Sequence, residues 1–210
     1  MILIGQFDSP FVRRVAIAMR LYGMPFEHRP WSVFGDAERI AAYNPLTRVP
    51  TLVLDDGEVL IESTCILDHL DEAAGPARAL IAGRGAERRA ALKVAALATG
   101  LADKAVSLVY ERVLHPETSQ VWIDRCEAQI GRVLGMLEAD RAARPSAYWF
   151  GASIGHADIA VACACALRFL GEAHPKLFDA RRRPSLAAHA ARCEALDPFR
   201  EIVQPFIPPA

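Results

Sequence analysis

The chain shows two different patterns of hydrophobic and polar residues, and the first pattern gives way to the second near Gly75. Before that point, short apolar runs alternate with longer amphipathic stretches, a pattern that predicts strands interleaved with helices. The predicted strands are Met1–Gly5, Phe26–Trp31, Thr51–Leu54 and Val59–Ile61. The predicted helices between and after them are Ser9–Tyr22, Asp36–Tyr43 and Ser63–Ala74.

The first predicted helix carries clear start signals. Ser9 is a good N-cap, and Pro10 suits the first helical position because the N–H that it lacks has no helical partner there. We expect Arg13, Arg14 and Arg20 to face away from the core. The apolar face, at helical spacing, consists of Val12, Val15, Ala16 and Met19.

A hairpin signal constrains the sheet. The segment Asp55-Asp56-Gly57 separates two short apolar runs and is a strong turn sequence between antiparallel strands. The first two strands are instead joined through a helix, which is the usual connection of parallel strands. We therefore predict a mixed four-stranded sheet with helices, forming an α/β domain over residues 1–77.

After Gly75 the pattern contains no convincing strand. The turn-rich residues 76–85 favour a linker, and residues 86–205 predict an all-helical second domain. The helix predicted at Ala157–Leu170 is almost entirely apolar, so we expect it in the middle of a bundle. The other predicted helices are Glu87–Arg112, Val121–Arg141 and Ser185–Ala195, and the proline-containing tail is expected to be irregular.

The charge balance and the hydropathy of the chain exclude several classes of binding partner. The 210 residues include 24 Lys and Arg against 25 Asp and Glu, so the formal net charge is −1. This balance argues against nucleic acid and against an anionic membrane surface as partners. Met1–Gly5 is too short for a secretory signal, and the apolar run Ile159–Leu167 is far shorter than the roughly 20 residues of a membrane span. We therefore expect a soluble, cytoplasmic protein.

The five cysteines are scattered along the chain and show no motif. None belongs to a C-x-x-C pair, and no histidine lies at zinc-ligand spacing from any of them. We expect all of them to be small buried hydrophobic residues in a reducing compartment, and we expect neither a metal site nor a resident cofactor. They are Cys65, Cys126, Cys163, Cys165 and Cys193.

Four motifs occur in an informative order. S-P-F-V-R-R-V begins at Ser9 and N-P-L-T-R-V-P-T-L begins at Asn44, while Glu62-Ser63 opens the next predicted helix. Gly151 then precedes A-D-I at the start of the apolar helix. Each motif alone is weak, but in this order the whole chain resembles the cytosolic glutathione transferases, most of all the serine-type bacterial or tau-like classes. The resemblance implies a thioredoxin-like first domain and a helical second-substrate domain.

The resemblance also implies a glutathione site in the first domain. Glu62 would bind the γ-glutamyl ammonium, and Ser63, at a helix start whose free N–H groups favour anions, would bind the neighbouring carboxylate. Val49-Pro50 would form a cis-proline turn that presents the Val49 main chain to the cysteinyl unit, and Arg48 would meet the glycyl carboxylate. Taken without the resemblance, Ser63 could be an ordinary cap and Arg48 a solvated loop residue.

Ser9 is the candidate catalytic residue. A free thiol has a pKa of about 8.5, so little of it is thiolate at neutral pH. A hydroxyl donor about 3 Å from the sulfur and a helix N-terminus both favour the thiolate. Lowering the thiol pKa by ~1.5–2 units requires about 2–3 kcal/mol, which one charge-assisted hydrogen bond and the helix dipole supply together. We expect Ser9 to donate this bond as well as to cap the helix, and not to act as a nucleophile.

The expected reaction is attack of the glutathione thiolate on a hydrophobic electrophile bound between the two domains. The electrophile pocket is assigned to Phe11, Phe34, Val106 and Tyr110, although an aromatic side chain on a helix is more often part of a core. The resemblance further implies a homodimer, with Ser63–Ala74 and the first helix of the second domain near the interface.

Other functions stay open at this point. The chain could be a glutathione-dependent isomerase, peroxidase or dehalogenase, although it lacks at Ser9 the serine-cysteine-serine element of the isomerase class. It could be a non-catalytic ligand carrier or stress-regulatory protein, against which the presence of Ser9, Glu62 and Ser63 together argues. It could also be an unrelated oxidoreductase on a thioredoxin-like fold, against which the lack of a cysteine where redox chemistry would need one argues.

Asp158 is expected to serve folding and not catalysis. It lies three residues after Gly155, which is the spacing of a capping box. The family usually has Ser or Thr where this chain has Gly155, and glycine offers no side-chain acceptor. We therefore predict that only half of the reciprocal cap forms.

Overall fold

Four strands form one mixed sheet in the N-terminal part of the chain. The computed structural model describes residues 1–165 and 169–209. β1 pairs in parallel with β2 and antiparallel with β3, which pairs antiparallel with β4, so the mixed sheet predicted from the hairpin signal is confirmed. The strands are β1 (Ile2–Ile4), β2 (Glu27–Arg29), β3 (Thr51–Val53) and β4 (Val59–Ile61).

Three helices accompany the sheet, and helices alone make up the regular structure of the described residues after it. The first three are α1 (Pro10–Tyr22), α2 (Ala37–Ala41) and α3 (Ser63–Ala74). The later ones are α4 (Gly85–Leu114), α5 (Gln120–Ala142), α6 (His156–Ala164), α7 (Phe169–Ala173), α8 (Pro184–Glu194) and α9 (Asp197–Glu201). Within the described part of the chain, none of these helices combines the length and the apolar character that a membrane span requires.

α1 is covered on more than one side. Its start follows the predicted cap, since Ser9 Oγ accepts the Val12 N–H at 3.4 Å, and Gly23 ends it with a left-handed φ of 68°. The expectation that Arg13 and Arg14 face solvent is wrong, because they are only 2% and 4% exposed. α3, α6 and α9 all pack against α1.

The burial of Arg13 depends on partners far away in sequence. Its guanidinium makes an ion pair with Glu194 at 2.8 Å and donates to the carbonyl oxygens of Ile202 and Phe199 at 2.8 and 3.0 Å. Phe199 belongs to α9, a short helix that the sequence pattern did not predict. Helical spacing identifies an apolar face, but it cannot show that a later segment will cover the polar one.

The apolar helix of the second half is shorter than predicted. α6 ends at Ala164, Cys165 has an extended backbone (φ −105°, ψ −168°), and α7 begins separately at Phe169. The single helix predicted at Ala157–Leu170 is therefore wrong, and residues 166–168 of that prediction lie outside the described residues. Because every residue from Ile159 to Leu167 is apolar, no polar or turn residue marks the end of α6.

The start of α6 shows the predicted half-cap. The Gly155 N–H donates to Asp158 Oδ2 at 2.9 Å, and Gly155 has no side chain to return the bond. Asp158 Oδ1 also accepts the Trp149 N–H at 2.8 Å, so one buried carboxylate fixes both the helix start and the loop before it. This contact pattern agrees with a folding role for Asp158.

Four of the five cysteines are buried, as expected, and none of the five forms a disulfide bond. Cys65 is the exception, because its position on α3 faces outward and leaves it exposed. Within the described residues, no group of His, Cys, Asp and Glu side chains is arranged to hold a metal ion.

One buried carboxylate joins the two halves of the molecule. Asp71 of α3 accepts the Leu80 N–H at 3.0 Å and the Tyr22 hydroxyl, and both of its oxygens lie 3.0 Å from His156 Nε2 of α6. Burial tends to raise the pKa of Asp71, but the hydrogen bonds from His156 and Tyr22 lower it overall. These four residues, the Asp71 cluster, connect α1, α3, the linker and α6.

Candidate functional site

The loop after β1 lies close to the segment before β3. Gly5 begins this loop with a φ of 127°, and a Cβ at Gly5 would lie only 2.6 Å from Val12 Cγ2 and 2.7 Å from Val49 Cβ. A side chain would force these segments apart, so glycine permits the close approach. The sequence motifs that begin at Ser9 and Asn44 therefore meet in space, although about thirty-five positions separate them.

Ser9 sits half-buried at the positive end of α1. Its carbonyl oxygen accepts the Arg13 N–H at 2.9 Å, and its Oγ accepts the Val12 N–H at the long distance of 3.4 Å. The Ser9 hydroxyl donates to no atom of the described residues. It is thus available to donate a hydrogen bond to a bound anion.

The segment before β3 presents unpaired main-chain groups. The Val49–Pro50 peptide bond is cis, as the resemblance implied. Asn44 Nδ2 and Thr51 Oγ1 both donate to the Arg48 carbonyl oxygen, at 2.9 and 3.1 Å. These two hydrogen bonds stabilise the turn before Val49. The backbone N–H and C=O of Val49 have no partner within the described residues. An extended peptide can pair with them as an added strand does.

The start of α3 offers several donors to an anion. Ser63 is only 4% exposed, and the N–H groups of Ser63, Thr64 and Cys65 have no partner within residues 1–165 and 169–209. Glu62 precedes them with a φ of 65°, a conformation that L-residues rarely adopt and that is associated with functional sites. Glu62 is the residue directly before the free N–H groups, and its side chain makes no hydrogen bond to them.

Arg48 and Glu62 contact each other, which the sequence did not predict. Arg48 Nη1 lies 3.4 Å from Glu62 Oε1, and the two side chains are 56% and 52% exposed. An ion pair this open contributes about 0–1 kcal/mol, so a charged ligand can displace it easily. The roles expected for the two residues, at opposite ends of glutathione, would require Arg48 to swing away from Glu62.

The four residues assigned to the electrophile pocket fall into two pairs. Phe34 and Tyr110 meet edge to face, with ring centroids 5.4 Å apart, and both rings are more than a third exposed. Phe11 and Val106 are partly buried against the core of the helical half. Burial raises the pKa of the Tyr110 hydroxyl, and the charge of nearby Arg48 partly offsets this. Tyr110 therefore faces the same opening as Arg48.

The sequence did not predict that the C-terminal tail is hydrogen-bonded to the loop that carries Ser9. Asp8 accepts the Ile207 N–H at 3.1 Å, and Gln204 accepts the Phe7 N–H at 2.9 Å, so the tail is tied to the loop that carries Ser9. Phe206 packs against the helical core, alongside Phe11 and Val106. Burial raises the pKa of the Asp8 carboxyl, against backbone hydrogen bonds that lower it. The hydrophobic residues of the tail follow no regular spacing, and its prolines predict only irregular structure, so its contacts could not be predicted.

The site thus combines a hydroxyl at one helix start, free N–H groups at another, an unpaired main-chain edge and a carboxylate. An anion, an extended peptide backbone and an ammonium group each find a matching partner there. An aromatic pair borders the opening. This combination suits a small peptide that carries charges at its ends and a reactive group in the middle.

Family models match both halves of the chain. The model described as glutathione S-transferase, N-terminal domain, matches residues 3–78. The model described as glutathione S-transferase, C-terminal domain, matches residues 120–192. Together the two matches cover most of the chain, in the order in which the sheet and the helices occur.

Individual proteins agree with these matches. YibF of Escherichia coli strain K12, described as an uncharacterised GST-like protein, is 31% identical over 137 residues, which is 65% of this chain and 67% of YibF. The chain spans only about a third of the length of the plant glutathione S-transferases that it matches.

Solved structures share the fold over nearly the whole chain. A glutathione S-transferase of Methylobacterium radiotolerans, in complex with glutathione sulfonate, has a TM-score of 0.90 and 28% identity, covering 98% of this chain and 95% of that one. A maleyl pyruvate isomerase, described as a bacterial glutathione S-transferase of the Zeta class, has a TM-score of 0.78 and 26% identity over 96% of each chain. The chain is a thioredoxin-like sheet domain joined to a helical domain, and it belongs to the glutathione S-transferase family.

Proposed function

We propose that this protein is a glutathione transferase that binds glutathione as its co-substrate and delivers the thiolate to a hydrophobic electrophile. The observation that carries the proposal is the Ser9 hydroxyl, which donates to no described atom and lies at the start of α1, where Gly5 brings the loop against Val49. The similar glutathione S-transferase of Methylobacterium radiotolerans has glutathione sulfonate bound, which supports a site for the tripeptide.

The proposed binding mode uses each unpaired group once. The γ-glutamyl carboxylate binds the free N–H groups at the start of α3 and the Ser63 hydroxyl, and Glu62 binds the neighbouring ammonium. The cysteinyl unit pairs with the main chain of Val49, beside Pro50. Arg48 leaves its weak pair with Glu62 and meets the glycyl carboxylate.

In the proposed mechanism, Ser9 donates a hydrogen bond to the sulfur and the α1 dipole adds to the stabilisation of the anion. The thiolate then attacks an electrophile bound in the opening between the aromatic pair Phe34–Tyr110 and the apolar side chains of Phe11 and Val106. The thiol proton goes to water when the thiolate forms. The new bond then joins sulfur to the electrophilic carbon, and either a leaving group departs with its bonding electron pair or an activated alkene accepts the electrons and takes up a proton from water. Water is kept away from the sulfur on one side by the C-terminal tail.

A conjugation assay tests this function. We expect the purified protein to consume glutathione with neutral aryl halides or activated alkenes faster than the uncatalysed reaction. The similarity to a maleyl pyruvate isomerase makes glutathione-dependent cis–trans isomerisation of an unsaturated diacid the second candidate. Isomerisation without net loss of glutathione, and no conjugation, would favour that alternative.

Glu62→Gln is expected to weaken glutathione binding about tenfold or more, because a desolvated carboxylate–ammonium contact is worth roughly 1.5–3 kcal/mol. The substitution keeps the shape of the side chain and should leave the melting temperature nearly unchanged. Isothermal titration of both proteins measures the effect. Glu58→Gln, in the exposed hairpin turn, is the matched control and should bind as wild type does. Normal binding by Glu62→Gln would remove Glu62 from the site.

We further propose that the chain forms a homodimer through the face that α3 and α4 share. Leu92 of α4 is 39% exposed on this face, which leaves apolar surface for a second copy to cover. Sedimentation should show a species of about twice the 22.9 kDa of one chain. A monomer alone at working concentration would contradict this assembly.

The domain limits and the compartment belong to the same proposal. Residues 1–77 form the glutathione domain and residues 86–205 the second-substrate domain, with the electrophile bound between them. The cytoplasm is the proposed compartment, since none of the five cysteines forms a disulfide bond, as is usual in a reducing environment.

A further inference from the structure

The loop between β1 and α1 is held by a side chain of β2 that the proposed mechanism does not use. His28 Nε2 lies 2.8 Å from the Gly5 carbonyl oxygen. The His28 ring also lies face to face on the Phe7 ring, with the centroids 3.7 Å apart and the two ring planes at 3° to each other. Both contacts fall on the loop that leads into Ser9. His28 therefore holds this loop at two points, one in its main chain and one in a side chain.

The contact with Gly5 determines which ring nitrogen of His28 carries a proton. A carbonyl oxygen only accepts hydrogen bonds, so Nε2 must carry the proton that it donates to Gly5. Burial lowers the pKa of His28, and the bond to Gly5 only partly offsets this, so the ring is neutral near pH 7. The Gly5 N–H in turn donates to the Arg29 carbonyl oxygen at 2.9 Å. Both main-chain groups of Gly5 are thus bonded to residues of β2.

The contact with Phe7 holds the middle of the loop. While the Phe7 ring stacks on His28, the Phe7 N–H donates to Gln204 Oε1 at 2.9 Å, so β2 and the C-terminal tail both hold this residue. The Ser9 N–H donates to the Gln6 carbonyl oxygen at 3.2 Å, which closes the loop onto itself. Because Ser9 is only two residues further along the chain, a shift of Phe7 is passed on to it.

We propose that His28 is a positioning residue of the reaction, which holds the loop so that the Ser9 hydroxyl lies within hydrogen-bond distance of the glutathione sulfur. The inference rests on the proposed activation of the thiol by Ser9 and adds the residue that orients it. A displacement of about 1 Å breaks a hydrogen bond of about 3 Å, and misplacements of this size lower rates by up to about a hundredfold. In the proposed binding mode, the start of α3 and the Val49 main chain bind the tripeptide, so its affinity does not depend on His28.

Two measurements on His28→Ala test the proposal. The first is the pKa of the bound thiol, which should rise by ~0.5 unit, so that kcat at pH 6.5 falls about threefold while KM for glutathione stays within about twofold. The second is amide hydrogen exchange of the ligand-free protein, in which the Phe7 and Ser9 amides should exchange about tenfold faster. Glu27→Gln is the control, because this exposed side chain lies one residue earlier on β2, and it should match wild type in both measurements.

A more conservative variant keeps the test valid if His28→Ala does not fold. His28→Gln retains a donor for the Gly5 carbonyl oxygen but has no ring to stack on Phe7, so it should show the same changes to a smaller extent. Unchanged exchange in the folded variants would show that His28 does not hold the loop. Faster exchange with an unchanged thiol pKa and unchanged kcat would make His28 a structural residue only. Either result would overturn the proposal. A wild-type thiol pKa equal to that of free glutathione would instead contradict the proposed role of Ser9, and this inference would fall with it.

Discussion

Ser9→Ala is expected to raise the pKa of protein-bound glutathione by about one unit or more and to slow conjugation about tenfold at pH 6.5. The reason is that the variant loses the hydroxyl donor and keeps only the dipole of α1. Below both pKa values the rate follows the thiolate fraction, so the loss is largest at low pH. As the pH rises through the higher pKa of the variant, the two rates should converge. The pH–rate profile measures this directly.

The cost to folding should be small in the same variant. The cap bond from Val12 N–H to Ser9 Oγ is long, at 3.4 Å, so we expect the lower end of the about 0.5–2 kcal/mol that loss of an N-cap costs. Glutathione affinity should change little. Ser9→Thr is the control, because it keeps a hydroxyl and should restore part of the rate. An unchanged profile with unchanged turnover would reduce Ser9 to a helix cap.

Asp71→Ala is expected to have the largest effect on stability, lowering the free energy of unfolding by about 3–5 kcal/mol. The change removes the one acceptor shared by Tyr22, Leu80 and His156, and so leaves buried donors unpaired where the two domains meet. Urea unfolding at neutral pH measures the loss. The matched control is Asp68→Ala. Asp68 lies about one turn earlier on α3, and its side chain is 70% exposed, so its loss should lower the free energy of unfolding by about 1 kcal/mol or less.

The difference in unfolding free energy between wild type and Asp71→Ala should change with pH in one direction. The pKa of Asp71 is lower in the folded protein than its ordinary value of 3.8, so its carboxylate stabilises the fold fully above that value. The difference between wild type and Asp71→Ala should hold from neutral pH down to about pH 4 and shrink as the pH falls through the lower, folded-state pKa. Equal stability of Asp71→Ala and Asp68→Ala at neutral pH would show that the Asp71 cluster does not hold the domains together.

Local sequence was sufficient for the elements whose ends are set by nearby residues. The start of α1 is set by Ser9 and Pro10, and its end is set by Gly23. The turn at Asp55-Asp56-Gly57 makes β3 and β4 antiparallel. The end of α6 at Ala164 could not be predicted, because the residues on both sides of it, from Ile159 to Leu167, are all apolar. The short α9 and the covered face of α1 depend on contacts between segments that are nearly two hundred residues apart.

The candidate site could be proposed from the sequence where a motif carries the chemistry. Val49, Pro50, Glu62 and Ser63 could be named from the resemblance, and the structure brings their segments together around free main-chain groups. The ion pair of Arg48 could not be named, since it depends on side-chain orientation. The same holds for the hydrogen bond between Asp8 and the tail and for the burial of Arg14. Each of these follows from packing between distant segments, for which a single sequence has no local signal.

The most direct test of the central claim is a pH titration of glutathione bound to the wild-type protein, followed by the ultraviolet absorbance of the thiolate. We expect a saturable thiolate signal with a pKa ~1.5–2 units below the value of about 8.5 for a free thiol. A thiolate signal that titrates as free glutathione does, or that does not saturate with protein, would contradict the claim that this chain binds glutathione and activates its thiol.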